Sequence, residues 1–521
     1  MVSRIETTSG TVVGTSDDGV HVFKGVPYAR APVGELRFAA PLPAVAWTGE
    51  RLCTEYGNIS FQPIDPLSVL VPGCEWNFYS QGAPQSEDCL NLNVWTQGST
   101  GSRPVMFWIH GGAFVTGSGT GIWTDGTVFA KLHDVVVVTI NYRLGALGFL
   151  ALDDDTLSSG LSCNIGLLDQ MLALKWVQEN ISAFGGDPSR VCIFGESAGA
   201  MSVATLLGAP GAKGLFSTAI VQSGNCHSTQ EPLDARATSG RFLKSLGVPI
   251  NGAIETLRTM STESLLGAQE QLAGSTPLPF RFVLDGEIVP VAPIESIALG
   301  QMSSVPILIG TNTDENTLFR RIRSGPGIFV GDLAERLRAL VADGVDSSRC
   351  KQLVGELVDL YGGMNGNADD IWDVVMTDRM WRAPAREMMD AHTRAGGTVY
   401  AYEFSLPSPA RGGEFGSCHA MEIPFVFGNL DQRGVNEFVG DKVGPGTPGR
   451  EVSERMNRSW AEFARDGAPG GPDGSKWIAH TEEIRMQMCF GATTHLREDP
   501  HLERIAWWLE HSDEIIPWGR F

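Results

Sequence analysis

Short apolar runs and helical stripes alternate through the middle of this chain. Val105–Ile109, Val135–Ile140, Val191–Phe194, Thr218–Val221, Val305–Ile309 and Val399–Phe404 are apolar runs of four to six residues, the pattern of strands buried on both faces. Helical periodicity separates several of them, as from Leu167 to Asn180. Such alternation predicts an α/β fold with a large, mostly parallel twisted sheet covered by helices on both faces. Residues 2–24 alternate and turn at Asp17-Asp18-Gly19, which predicts an antiparallel hairpin. Residues 25–45 are rich in Pro and Gly and predict an extended wrap. Residues 57–86 predict a long irregular loop, of a kind that often carries function. Two stretches, about 226–303 and 316–397, are mainly helical by pattern. They are expected over the C-terminal edge of the sheet, where open α/β folds bind ligands. No repeat or linker divides the chain, so residues 1–521 read as one domain.

The stretch Val191–Ala200, VCIFGESAGA, changes this picture from architecture to chemistry. A strand-like run ends in Gly195-Glu196-Ser197-Ala198-Gly199, and Met201, Val203, Leu206 and Leu207 continue at helical spacing until Gly208-Ala209-Pro210. The pentapeptide alone is weak in a chain with 62 glycines. Strand before and helix after make it the context of a nucleophile elbow, with Ser197 at the turn. Serine needs a base at neutral pH, and on this architecture the order is nucleophile, acid, histidine. Asp314 and Glu315 both follow the strand 305–310, and spacing does not choose between them. His392, His419, His480, His495, His501 and His511 lie beyond. His392 falls in a helical run and reads as a surface residue. His419, in a loop after Val399–Phe404, fits best. Trp108-Ile109-His110-Gly111-Gly112-Ala113-Phe114 follows a strand, and backbone N–H groups of such a turn can stabilise an oxyanion, together with that of Ala198.

Composition narrows the partners. The chain has 521 residues and a formal net charge of −21, which argues against nucleic acid or an anionic membrane surface. No apolar run is long enough to span a bilayer, and the N-terminal stretch has no signal-like apolar region, so the expectation is a cytoplasmic protein, a monomer or a small homo-oligomer. Nine cysteines, at 53, 74, 89, 163, 192, 226, 350, 418 and 489, show no zinc spacing and read mostly as buried free thiols; one Cys74–Cys89 bridge is compatible with the spacing. No metal-ligand cluster or nucleotide fingerprint occurs, so no metal and no cofactor is expected.

With these residues assembled, the chain resembles the type-B carboxylesterase and cholinesterase family of α/β-hydrolases, and is closest in look to the bacterial para-nitrobenzyl esterases. The resemblance runs nearly end to end: GVPYARAPVGELRF at 25–38, SEDCLNLNVW at 86–95, WIHGGAFVTGSG at 108–119, NYRLGALGFL at 141–150, NIGLLDQMLALKWVQENISAFGGDP at 164–188, FGESAGA at 194–200, CHAMEIPFVFGNL at 418–430 and WAEFARDGAP at 460–469. It implies a serine carboxylic-ester hydrolase that acts through an acyl-enzyme on small esters of short to medium chain length. It implies Ser197 as nucleophile, Glu315 as acid and His419 as base. Gly112, Ala113 and Ala198 become oxyanion donors, with Gly111 shaping the turn. Glu196 lies near the site, or is a buried structural acid. Ser223 resembles a family serine close to the triad acid.

The sequence also departs from the family. Asn316 stands where the family often has Gly, and Asn tolerates a left-handed backbone. Ser60 stands at the place of the cysteine that pairs with the one at 89. Leu318 replaces the aromatic that holds a quaternary ammonium in cholinesterases; Trp76 is the other candidate platform for such a cation. An acetylcholine substrate is therefore not expected. Phe114, Leu278, Leu318, Phe319 and Met421 lie beside the catalytic motifs as candidate pocket residues, with core packing as the competing role for each. A non-catalytic binding protein of this family would lack the serine. A carbamate or amide hydrolase using the same residues is the alternative within the enzyme class.

Overall fold

A computed structural model describes residues 2–65, 82–152, 163–273, 278–322, 332–364, 366–432, 434–440, 444 and 446–518. Among the described residues, thirteen strands form one sheet: β1 Val2–Thr7, β2 Gly10–Asp17, β3 Val20–Pro27, β4 Glu50–Leu52, β5 Asn91–Thr96, β6 Arg103–Ile109, β7 Val136–Ile140, β8 Gly186–Glu196, β9 Thr218–Gln222, β10 Ile307–Asn312, β11 Val399–Phe404, β12 Met486–Phe490 and β13 Thr494–Glu498. Their spatial order is β1-β2-β3-β5-β7-β6-β8-β9-β10-β11-β12-β13, with β4 beside β2. From β7 to β12 every neighbouring pair is parallel. The margins β1-β2-β3-β5-β7 and β12-β13 are antiparallel.

All six expected runs are strands in the parallel part. β10 starts at Ile307 rather than Val305, because Pro306 has no N–H to give to a ladder. The expected hairpin over 2–24 is instead a three-stranded meander, with an extra reversal between β1 and β2 at Thr8-Ser9. β5, β12 and β13 carry mixed polar and apolar residues and were not legible as strands.

Alternation along the strands divides two cores, since successive side chains leave a strand on opposite faces. Val105, Phe107, Ile109, Val191, Ile193, Ile307 and Ile309 enter one core. Met106, Trp108, Cys192, Phe194 and Leu308 enter the other. Helices α1 (Ile165–Asn180) and α2 (Ala198–Leu206) pack into the first core. Two helices from the C-terminal part, α6 (Ile423–Phe427) and α7 (Pro448–Asp466), pack into the second. This is the α/β architecture that the pattern predicts, and it has the arrangement that the resemblance to α/β-hydrolases implies.

The second excursion contains α3 (Glu315–Ile322), α4 (Ala368–Thr377) and α5 (Ala383–Arg394), with a π-helical turn at Asp378–Arg382 between the last two. Part of it forms a third core with the C-terminal helix α8 (Leu502–Glu510), around Leu353, Leu357, Trp372, Ile505 and Trp508. His392, expected at the surface, is buried on α5, with its Nε2 3.0 Å from the Val305 carbonyl. Cys53, Cys89, Cys163, Cys192, Cys226, Cys418 and Cys489 are buried free thiols, and Cys350 is half-buried. Cys74 and Trp76 lie outside the described residues. The Ser60 side chain hydrogen-bonds the Cys89 thiol, whose pKa burial pushes up to about 12. Among the described residues no helix is long and apolar enough to cross a membrane.

Candidate active site

The elbow is made by close backbone approach. Ser197 sits between β8 and α2 with φ 56° and ψ −124°, a conformation that costs a non-glycine residue about 1–3 kcal/mol. A Cβ on Gly195 would fall 2.6 Å from the Ile109 carbonyl oxygen, and one on Gly199 only 2.0 Å from it. The two glycines of the motif thus let β6 and α2 meet around the serine. Ser197 N–H donates to the Gln222 carbonyl at 3.0 Å, tying the turn to β9. The Ser197 side chain is partly exposed, while its neighbours Glu196 and Ala198 are buried.

The Gly-rich turn after β6 packs directly on this elbow. A Cβ on Gly111 would meet the Glu196 carbonyl at 2.7 Å, a Glu196 carboxylate oxygen at 2.9 Å and the Ser197 Cβ at 3.1 Å. Gly112, Ala113 and Phe114 follow with φ of 103°, 55° and 61°. The Gly112 carbonyl accepts from the N–H groups of Val115 and Thr116. The Gly112 and Ala113 N–H groups donate to no acceptor among the described residues. Ala198 is the first residue of α2, where the N–H has no partner within the helix.

Glu315 and His419 are 104 positions apart and in contact, Glu315 Oε2 lying 2.7 Å from His419 Nδ1. The other oxygen, Oε1, accepts from the Ser223 hydroxyl at 2.6 Å and the Asn312 N–H at 2.7 Å. Glu315 is fully buried. Asp314 faces away from the imidazole, and its Oδ2 accepts from the Ser417 N–H at 2.8 Å, clamping the loop that carries His419. Spacing left these two carboxylates open; their side-chain directions separate them. Asn316, expected as a left-handed turn residue, is helical within α3. It hydrogen-bonds Asp373 through Nδ2 at 2.8 Å, so α3 starts at the acid itself and needs no glycine there.

Glu196 faces the same imidazole from the opposite nitrogen. Its Oε1 stands 3.0 Å from His419 Nε2, off the axis a hydrogen bond needs, so neither atom has an aligned partner among the described residues. No hydrogen bond joins Ser197 Oγ to His419 in this structure. Burial opposes a charge on His419, but Glu196, Glu315 and Glu422 outweigh it and push its pKa up to about 9. Burial holds Glu196 well above the usual carboxylate range against the pull of His419, with Glu422 and Glu315 adding like charge. The imidazole and the carboxylate facing it therefore titrate together.

Three residues at the site escaped the sequence reading. Glu422 is buried and accepts from Asn312 Nδ2 at 2.7 Å and Gln222 Nε2 at 3.1 Å. Trp381 lies against the His419 ring, centres 4.4 Å apart. Glu422 stands three residues after His419 inside a matched motif and could have been singled out. Asn312 and Trp381 carried no local signal. Of the candidate pocket residues, Phe319 lies beside the imidazole, its ring 5.0 Å from that of His419. Phe114 is wholly enclosed, against the rings of Phe149 and Phe282. Leu318 and Met421 are likewise core residues. Leu278 is half-buried with φ 46°.

A strand–elbow–helix serine on a doubly covered parallel sheet, beside a buried carboxylate–imidazole pair, defines the α/β-hydrolase class of serine hydrolases. The carboxylesterase family model matches residues 2–508. The chain is 38% identical to the para-nitrobenzyl esterase of Bacillus subtilis over 514 residues, covering 97% of this chain and 98% of that protein. It is 37% identical to the phenmedipham hydrolase of Pseudarthrobacter oxydans, covering 90% and 91%. Among solved structures, a para-nitrobenzyl esterase superposes with a TM-score of 0.84 at 37% identity, covering 97% of this chain and 99% of that one. A carboxylesterase of Geobacillus stearothermophilus superposes with a TM-score of 0.82 at 38% identity, with the same coverage. The chain belongs to the carboxylesterase family and is a serine ester hydrolase.

Proposed function

We propose that ester hydrolysis here runs through Ser197 as nucleophile, His419 as general base and then acid, and Glu315 as the carboxylate that orients the imidazole. The observation that carries this is the 2.7 Å contact between Glu315 Oε2 and His419 Nδ1, with Ser223 and Asn312 holding the opposite oxygen. With Nδ1 engaged, Nε2 is the nitrogen left to accept the serine proton. Ser197 Oγ attacks the ester carbonyl carbon as His419 takes that proton. The alcohol leaves with it, and water then attacks the acyl-serine by the same route. The N–H groups of Gly112, Ala113 and Ala198 receive the oxyanion, supported by their lack of other acceptors and by the α2 N-terminus.

The substrate we infer is a small ester with a short to medium acyl chain, bound against Phe319, with Leu278 as a further wall candidate. The names of the relatives, a para-nitrobenzyl esterase and a phenmedipham hydrolase, are consistent with compact aryl-bearing substrates. The buried unpaired thiols fit a reducing compartment such as the cytoplasm. The test is a series of p-nitrophenyl esters of rising chain length, beside a carbamate and an anilide carrying the same aryl group. Turnover that peaks between acetate and hexanoate is the expected result. A preference for the carbamate or the anilide would overturn the ester assignment of the site.

A further inference from the structure

Asp378–Arg382 winds as a π-helix between α4 and α5. Such turns are rare and gather at functional sites. This one sends two consecutive side chains to the two catalytic loops. Arg382 donates from Nη2 to the Thr313 carbonyl at 2.7 Å, in the turn that carries Glu315. Trp381, only 4% exposed, turns its indole onto His419 with ring centres 4.4 Å apart and planes at 34°. Phe319 stacks on that indole at 5.9 Å and 14° and lies 5.0 Å from the imidazole at 44°, so two aromatic rings border the imidazole.

We propose that Trp381 is a positioning residue for the base: its indole fixes the plane of the His419 ring and stabilises the imidazolium that forms as Ser197 loses its proton. The inference rests on His419 being the base. A cation within about 6 Å of an indole centre is drawn to the electron-rich face, while a neutral imidazole gains little from it. An interaction stronger in the transition state than in the ground state accelerates the step. Other groups facing the ring are Glu315 at Nδ1 and Glu196 at Nε2, with Glu422 close by and the buried Cys418 thiol and Tyr402 phenol near the same carboxylates. Asp314 is occupied by Ser417. On the π-helix itself, Asp378 pairs with Arg382 and Arg504, and Arg379 donates to the Ile516 carbonyl. Replacing the indole removes none of these charges.

The experiment is the pH profile of kcat/KM on p-nitrophenyl acetate, whose acid limb reports the base in the free enzyme. Trp381→Leu removes the aromatic face and keeps apolar bulk. Tetrafluorotryptophan at 381 keeps the shape and drains the ring of its negative face. Active sites are counted by organophosphate titration, so that misfolded protein is left out of the rate. In both variants the acid limb should move to lower pH by about half a unit to one unit, and the plateau should fall about 3- to 10-fold. A fluorinated enzyme with the wild-type limb and plateau overturns the proposal, whatever the leucine variant does. His419→Gln with wild-type activity would instead overturn the assignment of the base itself.

Discussion

On the nucleophile side of the site, Ala113, Phe114 and Ser197 hold positive φ, and Gly111, Gly195 and Gly199 have other backbone within 2.7 Å of where a Cβ would stand. These features belong to two short segments, each continuous in sequence. On the base side, Ser223 and Ala420 also have positive φ, but the space is filled by charge and aromatic rings. Glu196, Glu315 and Glu422 are each no more than 2% exposed around His419, and they come from three separate parts of the chain. The nucleophile side is rigid because backbone geometry leaves it no room. The base side is tuned, because each buried carboxylate shifts the proton affinity of one imidazole.

That contrast makes the two sides fail differently. Ser197→Ala should lower kcat by about six orders of magnitude, since the covalent route is lost. Mass spectrometry of organophosphate-treated protein should find the label on Ser197 and on no other serine. Glu315→Gln should remain folded and lose about 10⁴ in kcat, because the imidazole loses its orienting partner and its correct tautomer. Asp314→Asn should keep most of its kcat and cost about 1–3 kcal/mol in denaturant unfolding, through the bond to Ser417. A reversal of these two phenotypes would place the orienting acid at 314.

Gly111→Ala tests the nucleophile side without touching a reactive group. The new methyl must displace Glu196 or Ser197, and shifts of that size cost about 10² in kcat. A variant of unchanged rate would show that the elbow has slack. The gentlest change is Glu196→Gln, which removes a negative charge 3.0 Å from His419 Nε2. Losing an anion disfavours the imidazolium, so the raised pKa of His419 should fall. The acid limb of kcat/KM then moves to lower pH, by about one unit. A limb that does not move would mean that Glu196 is neutral in the free enzyme and contributes no field there.

How much of this was legible in the sequence follows the same division. The parallel strands were readable because double burial demands unbroken apolar runs, and the elbow because only small residues permit so close a turn. Those are local requirements, written within ten residues. The resemblance selected Glu315 over Asp314, which composition could not separate. The strands β5, β12 and β13 were hidden, since partly solvated or polar-lined strands carry no unbroken run. Phe114, Leu318 and Met421 neighbour catalytic motifs in sequence, and the structure packs all three among core side chains.

By itself, then, the sequence determined the sheet, the elbow and the kind of chemistry, because each rests on short-range sterics and on burial. Only the tertiary structure decided that Glu196 faces the imidazole rather than serving as a buried structural acid, that Glu422 lies close by, and that a π-helical turn brings Trp381 against the ring. Proton affinity and ring orientation depend on through-space distances of a few ångströms between segments far apart in the chain, and no local pattern records those distances.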